Sequence, residues 1–320
     1  MNRLKKAVPT LVLVFRYVLL AAVIGFAIFY LVTQWADVSE ALALVSWLSL
    51  AVSLVFVLLG LAAGTMSWIA VLNGIGPRVP ILRGAQVMLV GQLGKYVPGS
   101  VWSYVMQMEL GRQYGILRAR VLISGLYAAG IGVVSSLILG ALALPVVLAG
   151  HEALAWLFLL LPIGLVCLHP RVMTWLASLV LRIFRRPPLD HQVRFVTVLQ
   201  AVGWSLLSYV LYGAHLWFLA NSLADPDFTT FVLLTGAIAL GFTAGLFAFV
   251  LPSGVGVREA ILIGVMGLVL TVGQATAISL VSRLMFTVAD LASAGIAVIA
   301  VLIAKRVAGR RSEEVDDPQY

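Results

Sequence analysis

Four stretches of the chain, residues 41–77, 121–151, 195–224 and 228–257, contain no Asp, Glu, Lys or Arg. Each is longer than the roughly 20 apolar residues that carry a helix across the hydrocarbon core of a bilayer. Among 320 residues, 62% are apolar and only 11% charged, whereas soluble domains are about 25% charged. A soluble enzyme, a disordered chain and a disulfide-stapled domain are thereby excluded. A membrane β-barrel is excluded too, because its strands alternate apolar and polar residues over about ten positions. The single Cys167 forms no internal disulfide. The reading is an all-α, polytopic integral membrane protein.

The net charge of +8 becomes informative once the charges are placed. Lys and Arg concentrate in cytoplasmic loops. Arg3, Lys5, Lys6 and Arg16 start inside, and no cleavage site follows the first apolar run, so it is expected to be a retained helix. Full spans are expected at about 11–33, 47–72, 121–148, 153–168, 195–220 and 275–304, six in all. Asp37, Glu40, Glu152, Asp225 and Asp227 then fall outside, and both termini are cytoplasmic. For the signs to alternate, residues 85–111 must enter and leave by the inner face, and 228–274 by the outer face. Of the 21 Lys and Arg, all but Lys95, Arg258 and Arg283 lie inside or at the inner border. Glu109, Glu259 and Asp290 are left at membrane depth with them. Such charges are costly in lipid, so they are paired within the bundle or functional. On the last helix, Arg283 and Asp290 share a face, with Glu259 and Lys95 as the nearest candidate partners.

The two same-face excursions resemble each other. One reads Gly91-Gln-Leu-Gly-Lys-Tyr-Val-Pro-Gly-Ser-Val-Trp-Ser-Tyr104, the other Gly245-Leu-Phe-Ala-Phe-Val-Leu-Pro-Ser-Gly-Val-Gly-Val-Arg-Glu259. Proline removes a backbone donor and glycine permits a turn. Broken backbone at membrane depth is tolerated only where it is buried in protein or lines a cavity. Paired Gly/Pro interruptions in two halves point to a transporter's binding site. Surface Pro-Gly loops are the simpler alternative. As re-entrant segments dipping from opposite faces, they would make an inverted repeat with halves at about 47–150 and 195–304. A half-helix that starts after Pro-Gly offers free N–H groups and a positive dipole end, which suit an anion such as phosphate. Lys95 and Arg258 add charge, and Ser100 and Ser253 add hydroxyls.

At Gly94-Lys-Tyr-Val-Pro-Gly-Ser-Val-Trp102 and Leu251-Pro-Ser-Gly-Val-Gly-Val-Arg-Glu259 the chain resembles the flippase-like family of lysylphosphatidylglycerol synthase transmembrane regions. The similarity covers about residues 10–305. It implies translocation of a lipid between leaflets. It argues against lipid synthesis, since the aminoacyl-transferase domain to which such a region can be fused is not expected in this chain. Together, motif and resemblance nominate Lys95, Tyr96, Pro98, Gly99, Ser100, Pro252, Ser253, Gly254, Gly256, Arg258 and Glu259 as substrate-binding. Glu109, Arg283 and Asp290 are nominated as an intramembrane charge network.

Other motifs carry less. Gly254-Val-Gly-Val-Arg-Glu259 lacks the third glycine and the βαβ context of a dinucleotide site, and Gly91-Gln-Leu-Gly-Lys95 has the wrong spacing for a phosphate loop. His151, His169, His191 and His215 show no metal spacing, and His215 reads as a hydrogen-bonded packing residue. Asp225-Pro-Asp227 is a turn signal before it is a metal site. Residues of about 171–186 form a cationic amphipathic pattern suited to the inner membrane surface, so the basic charge is assigned to lipid and not to nucleic acid.

The whole is expected to be one transmembrane domain over 1–306, with a cytoplasmic tail at 307–320 that is disordered from Ser312. It is expected to carry no metal or cofactor and no enzymatic activity. Its expected role is moving a phosphate-bearing lipid (anionic, aminoacylated or polyprenyl-linked) across the cytoplasmic membrane. Two alternatives stay open. One is a scaffold or accessory subunit of an envelope lipid or glycan pathway, with a homo-oligomer or biosynthetic partner. The other is a polyprenyl-phosphate-sugar glycosyltransferase using Asp37 or Glu40.

Overall fold

In the computed structural model of the protein, Ser46 opens the first long helix among the described residues. Its hydroxyl oxygen accepts the Ser49 N–H at 3.1 Å, and α1 runs Trp47–Gly74. The structure describes residues 45–96, 101–148, 160–167, 193–248 and 254–316, with isolated positions at 39, 43, 169, 171, 172, 174, 175, 178 and 179. Asn73 closes the next turn by accepting the Val79 N–H at 2.8 Å and donating to the Val79 carbonyl at 3.3 Å. Helix α2, Ile81–Gln92, follows Pro80 and tightens into a 3₁₀ turn, Leu93–Tyr96. Helix α3, Trp102–Gln113, stops at Gly115, whose φ of +72° lets the Ile116 N–H reach back to the Gly111 carbonyl.

Helices α4, Arg118–Leu148, α5, Leu160–Cys167, and α6, Phe195–Ala220, come next. Asp227 caps α7, Phe228–Phe247, by accepting the Thr230 N–H at 2.8 Å. Then come α8, Val257–Met266, and the long α9, Val272–Asp316. No strand occurs among the described residues.

Five of these helices, α1, α4, α6, α7 and α9, are long and apolar enough to cross a membrane. They expose Val55, Leu59, Leu142, Val196, Leu284 and Ile299 on their outer faces, as lipid contact requires. The chain is a multi-pass membrane protein. The expected span at 11–33 lies outside the described residues, and so does most of the one at 153–168, of which α5 is the remaining part. Most of the amphipathic stretch at 171–186 also lies outside them. Helices α2 and α3 have 12 residues each, about 18 Å, too short to cross alone. Helix α7, with 20 residues, is not. Helix α9 continues to Asp316, through Ser312, where the sequence reading expected disorder. Arg310, Arg311, Glu313 and Glu314 all favour helix, and the first breaker is Pro318.

The most extensive packing joins α1 to α6. Three serine hydroxyls tie that seam. Ser53 donates to the His215 carbonyl at 2.9 Å, Ser208 to the Gly60 carbonyl at 2.7 Å, and Ser67 to the Ala201 carbonyl at 2.7 Å. Between helices in lipid, where apolar attraction is weak, small residues and such bonds supply cohesion. The flanking contacts are reciprocal: α2 lies on α9, and α7 lies on α4. A buried cluster including Leu61, Leu216, Leu234, Ile238, Leu262 and Phe286 joins α1, α6, α7, α8 and α9. At the end of α1, Arg120 donates at 2.6 Å to the Leu72 carbonyl, an acceptor that the helix end leaves open, and at 2.6 Å to the Pro77 carbonyl in the turn beyond.

Candidate functional site

The 3₁₀ turn after α2 sets Lys95 and Tyr96 against α9. Lys95 Nζ lies 2.6 Å from Asp290 Oδ2, and the Tyr96 hydroxyl donates to the same oxygen at 2.6 Å. Asp290 is 3% exposed, so these two donors stand in for its lost hydration. Two turns earlier on α9, Arg283 Nη1 donates to Glu259 Oε1 at 3.0 Å. The pairs expected from the charge pattern on α9 are thus both formed. The other Glu259 oxygen accepts the Gly256 N–H at 2.7 Å, which caps α8. Gly256 has a φ of +87°, a conformation that L side chains avoid.

Arg258, next to Glu259, faces elsewhere. Its guanidinium carbon is 4.3 Å from the ring centroids of both Phe242 on α7 and Phe286 on α9. It is 5% exposed, and its Nε is buried with no hydrogen-bond partner among the described residues. Among the described residues no carboxylate lies within salt-bridge distance of it. Its Nη2 donates to Ser282 Oγ at 3.2 Å.

From Ser282 a polar chain continues into the bundle. Ser282 Oγ is 2.9 Å from His215 Nε2, and His215 Nδ1 is 2.5 Å from Ser53 Oγ. The single Ser53 proton goes to the His215 carbonyl at 2.9 Å. Nδ1 therefore carries the proton shared with Ser53. Nε2 accepts from Ser282, and Ser282 accepts from Arg258. One neutral imidazole satisfies both serines and the histidine, and the chain joins α1, α6, α9 and α8.

These side chains surround a cavity of about 420 Å³ lined by Lys95, Tyr96, Gly254, Arg258, Arg283 and Asp290, together with Gln107, Tyr209 and Tyr212. Gly256 and Glu259 stand behind its wall. Pro98, Gly99, Ser100, Pro252 and Ser253 lie outside the described residues. Glu109 is elsewhere, paired with Arg112 at 2.8 Å and Arg118 at 2.6 Å and half-exposed. It joins no network with Arg283 and Asp290, because it sits in the last turns of α3, where Arg112 and the start of α4 bring cations to it. Those guanidiniums, Arg118 first, hold its carboxyl below the usual range. Among the described residues no group of three His, Cys, Asp or Glu side chains is placed to hold a metal ion.

Glycines let the arms of both broken segments touch. A Cβ on Gly94 would lie 2.7 Å from the Ser103 nitrogen, and a Cβ on Gly254 would lie 2.6 Å from the Gly245 Cα. Gly254 also has a φ of +65°. The sequence reading did not single out Phe242, Phe286, Ser282 and Ser53. The spacing of Arg283, Phe286 and Asp290 along one face of α9 was a usable signal for Phe286.

No curated protein matches the chain. The family described as the lysylphosphatidylglycerol synthase TM region matches residues 18–303, a stretch that holds both glycine contacts, both buried ion pairs and Arg258. A match of that extent settles kinship: the chain belongs to the family of lysylphosphatidylglycerol synthase transmembrane regions.

Proposed function

We propose that the protein is a flippase-like transporter that moves a phosphate-bearing lipid across the cytoplasmic membrane, with both termini cytoplasmic and no enzymatic activity of its own. The observation that carries this reading is Arg258. It is a buried cation with no carboxylate within salt-bridge distance among the described residues, and it lines the cavity. A buried charge without a paired carboxylate is costly, and an anionic headgroup entering the cavity would neutralise it. Discontinuous helices at a mid-membrane cavity suit that use.

The reciprocal packing of α2 on α9 and α7 on α4 supports the inverted-repeat reading, with halves at about 47–150 and 195–304. In this reading the partners are anionic or polyprenyl-phosphate lipids, not nucleic acid. Membership of a lipid-linked membrane family is consistent with it.

The test is leaflet exchange in vesicles holding the purified protein. The panel is phosphatidylglycerol, phosphatidic acid, an aminoacylated phospholipid and a polyprenyl phosphate. Acceleration of at least one of them, lost in Arg258→Gln, is expected. No acceleration of any of the four would remove the reading.

A further inference from the structure

The charges around the cavity do not cancel. Lys95 is matched by Asp290 at 2.6 Å, and Arg283 by Glu259 at 3.0 Å. Among the described residues Arg258 has no such match, so three cations there face two carboxylates. Asp290 is the only carboxylate lining the cavity among the described residues, and one of its oxygens already takes both Lys95 and the Tyr96 hydroxyl. Glu259 gives one oxygen to Arg283 and the other to the Gly256 N–H. An incoming ammonium group would find the charge of each carboxylate already matched by a cation and would add a second uncompensated cation. An incoming phosphate would find Arg258, whose Nε is buried and has no hydrogen-bond partner among the described residues.

We infer that the cavity selects a headgroup bearing phosphate and net negative charge, and rejects one made cationic by an amino acid. Lysylphosphatidylglycerol, with two ammonium groups against one phosphodiester, is then a poor occupant, although the family carries its name. This rests on the reading that the cavity receives a lipid headgroup.

The experiment is native mass spectrometry of the purified full chain with equal amounts of dioctanoyl phosphatidylglycerol and dioctanoyl lysylphosphatidylglycerol. Phosphatidylglycerol should be retained at least about tenfold better. Equal retention, or preference for the lysyl lipid, would overturn the inference. Glycerol 3-phosphate is added as a competitor. Displacement assigns the contact to any soluble phosphate, and persistence assigns it to the lipid; the anion preference is upheld by either.

Lys95→Met gives a result that misfolding cannot mimic. It leaves the Asp290 carboxylate without its cation and should shift the ratio at least about tenfold toward the lysyl lipid. An unchanged ratio would show that the charge balance does not set selectivity. If vesicles show no lipid exchange while the anion preference holds, transport fails and this inference stands. Exchange of the lysyl lipid in preference to phosphatidylglycerol would do the reverse.

Discussion

Lys95, on the turn that ends the first arm of one broken segment, meets Asp290 of the last helix at 2.6 Å. This ion pair ties the two halves of the chain across the cavity.

Breaking it one-sidedly should be worse than deleting it. Lys95→Ala leaves a nearly buried carboxylate with only Tyr96, at a cost of about 2–3 kcal/mol, below the usual figure for fully buried pairs because Lys95 is partly exposed. Lys95→Ala with Asp290→Asn should be closer to wild type in thermal unfolding in nanodiscs. A double variant as unstable as the sum of its singles would show that the pair is not coupled.

The second pair should behave alike, since Arg283 and Glu259 are both mostly buried. Arg283→Ala is expected to lower the thermal midpoint more than Arg283→Ala combined with Glu259→Gln, where the remaining amide can still accept the Gly256 N–H. The same unfolding assay reads the order of the two midpoints.

Glycine substitutions should divide by position. Gly254→Ala forces a left-handed backbone on a side chain and drives its Cβ into Gly245, a loss on the order of 2–4 kcal/mol. Gly203→Ala, in the interior of α6 with nothing within 4 Å of the new methyl, should instead gain about 0.5–1 kcal/mol. Paired midpoints of the two variants against wild type check the contrast.

Asp227 supplies the pH dependence. The Thr230 N–H, and then its hydroxyl, hold the Asp227 carboxyl below the ordinary range. A lowered folded-state value means the cap stabilises fully above the unfolded-state value and is lost as pH falls through the folded one. Wild type should therefore lose more stability between neutral and acid pH than Asp227→Asn. Equal losses would remove the cap from the account.

Orientation can be read chemically. In a Cys167→Ala background, cysteine at exposed Ala224 should react with an impermeant maleimide from outside intact cells, and cysteine at exposed Arg78 should not. Labelling of the Arg78 position alone would invert the topology.

The spanning helices could be read from the sequence because excluding charge from hydrocarbon leaves a strong mark over twenty residues. The ion pairs could be read because Arg283 and Asp290 lie on one face of one helix, and each requires a partner. The aromatic clamp on Arg258 could not. Phe242 is as apolar as the outward-facing Phe247, and only the packing of α7 on α8 and the ring contact with Phe286 distinguish them. Glu109 was placed at membrane depth because a run between charges says nothing of where a short helix turns back. Arg112, one turn along, was its local partner. His215 read correctly as a packing residue, but its link to Arg258 passes through one serine, Ser282, that no pattern marks.

The seam of Ser53, Ser67 and Ser208 between α1 and α6 has a consequence for biosynthesis. Helix α1 leaves the ribosome long before α6 exists. Until then its Ser53 and Ser67 hydroxyls lack their acceptors on α6, and the Gly60 carbonyl lacks the Ser208 hydroxyl. The newly inserted amino-terminal half is therefore an unfinished surface that only the second half can close, and a nascent chain arrested between the two would present that polar stripe to the membrane's quality-control proteases.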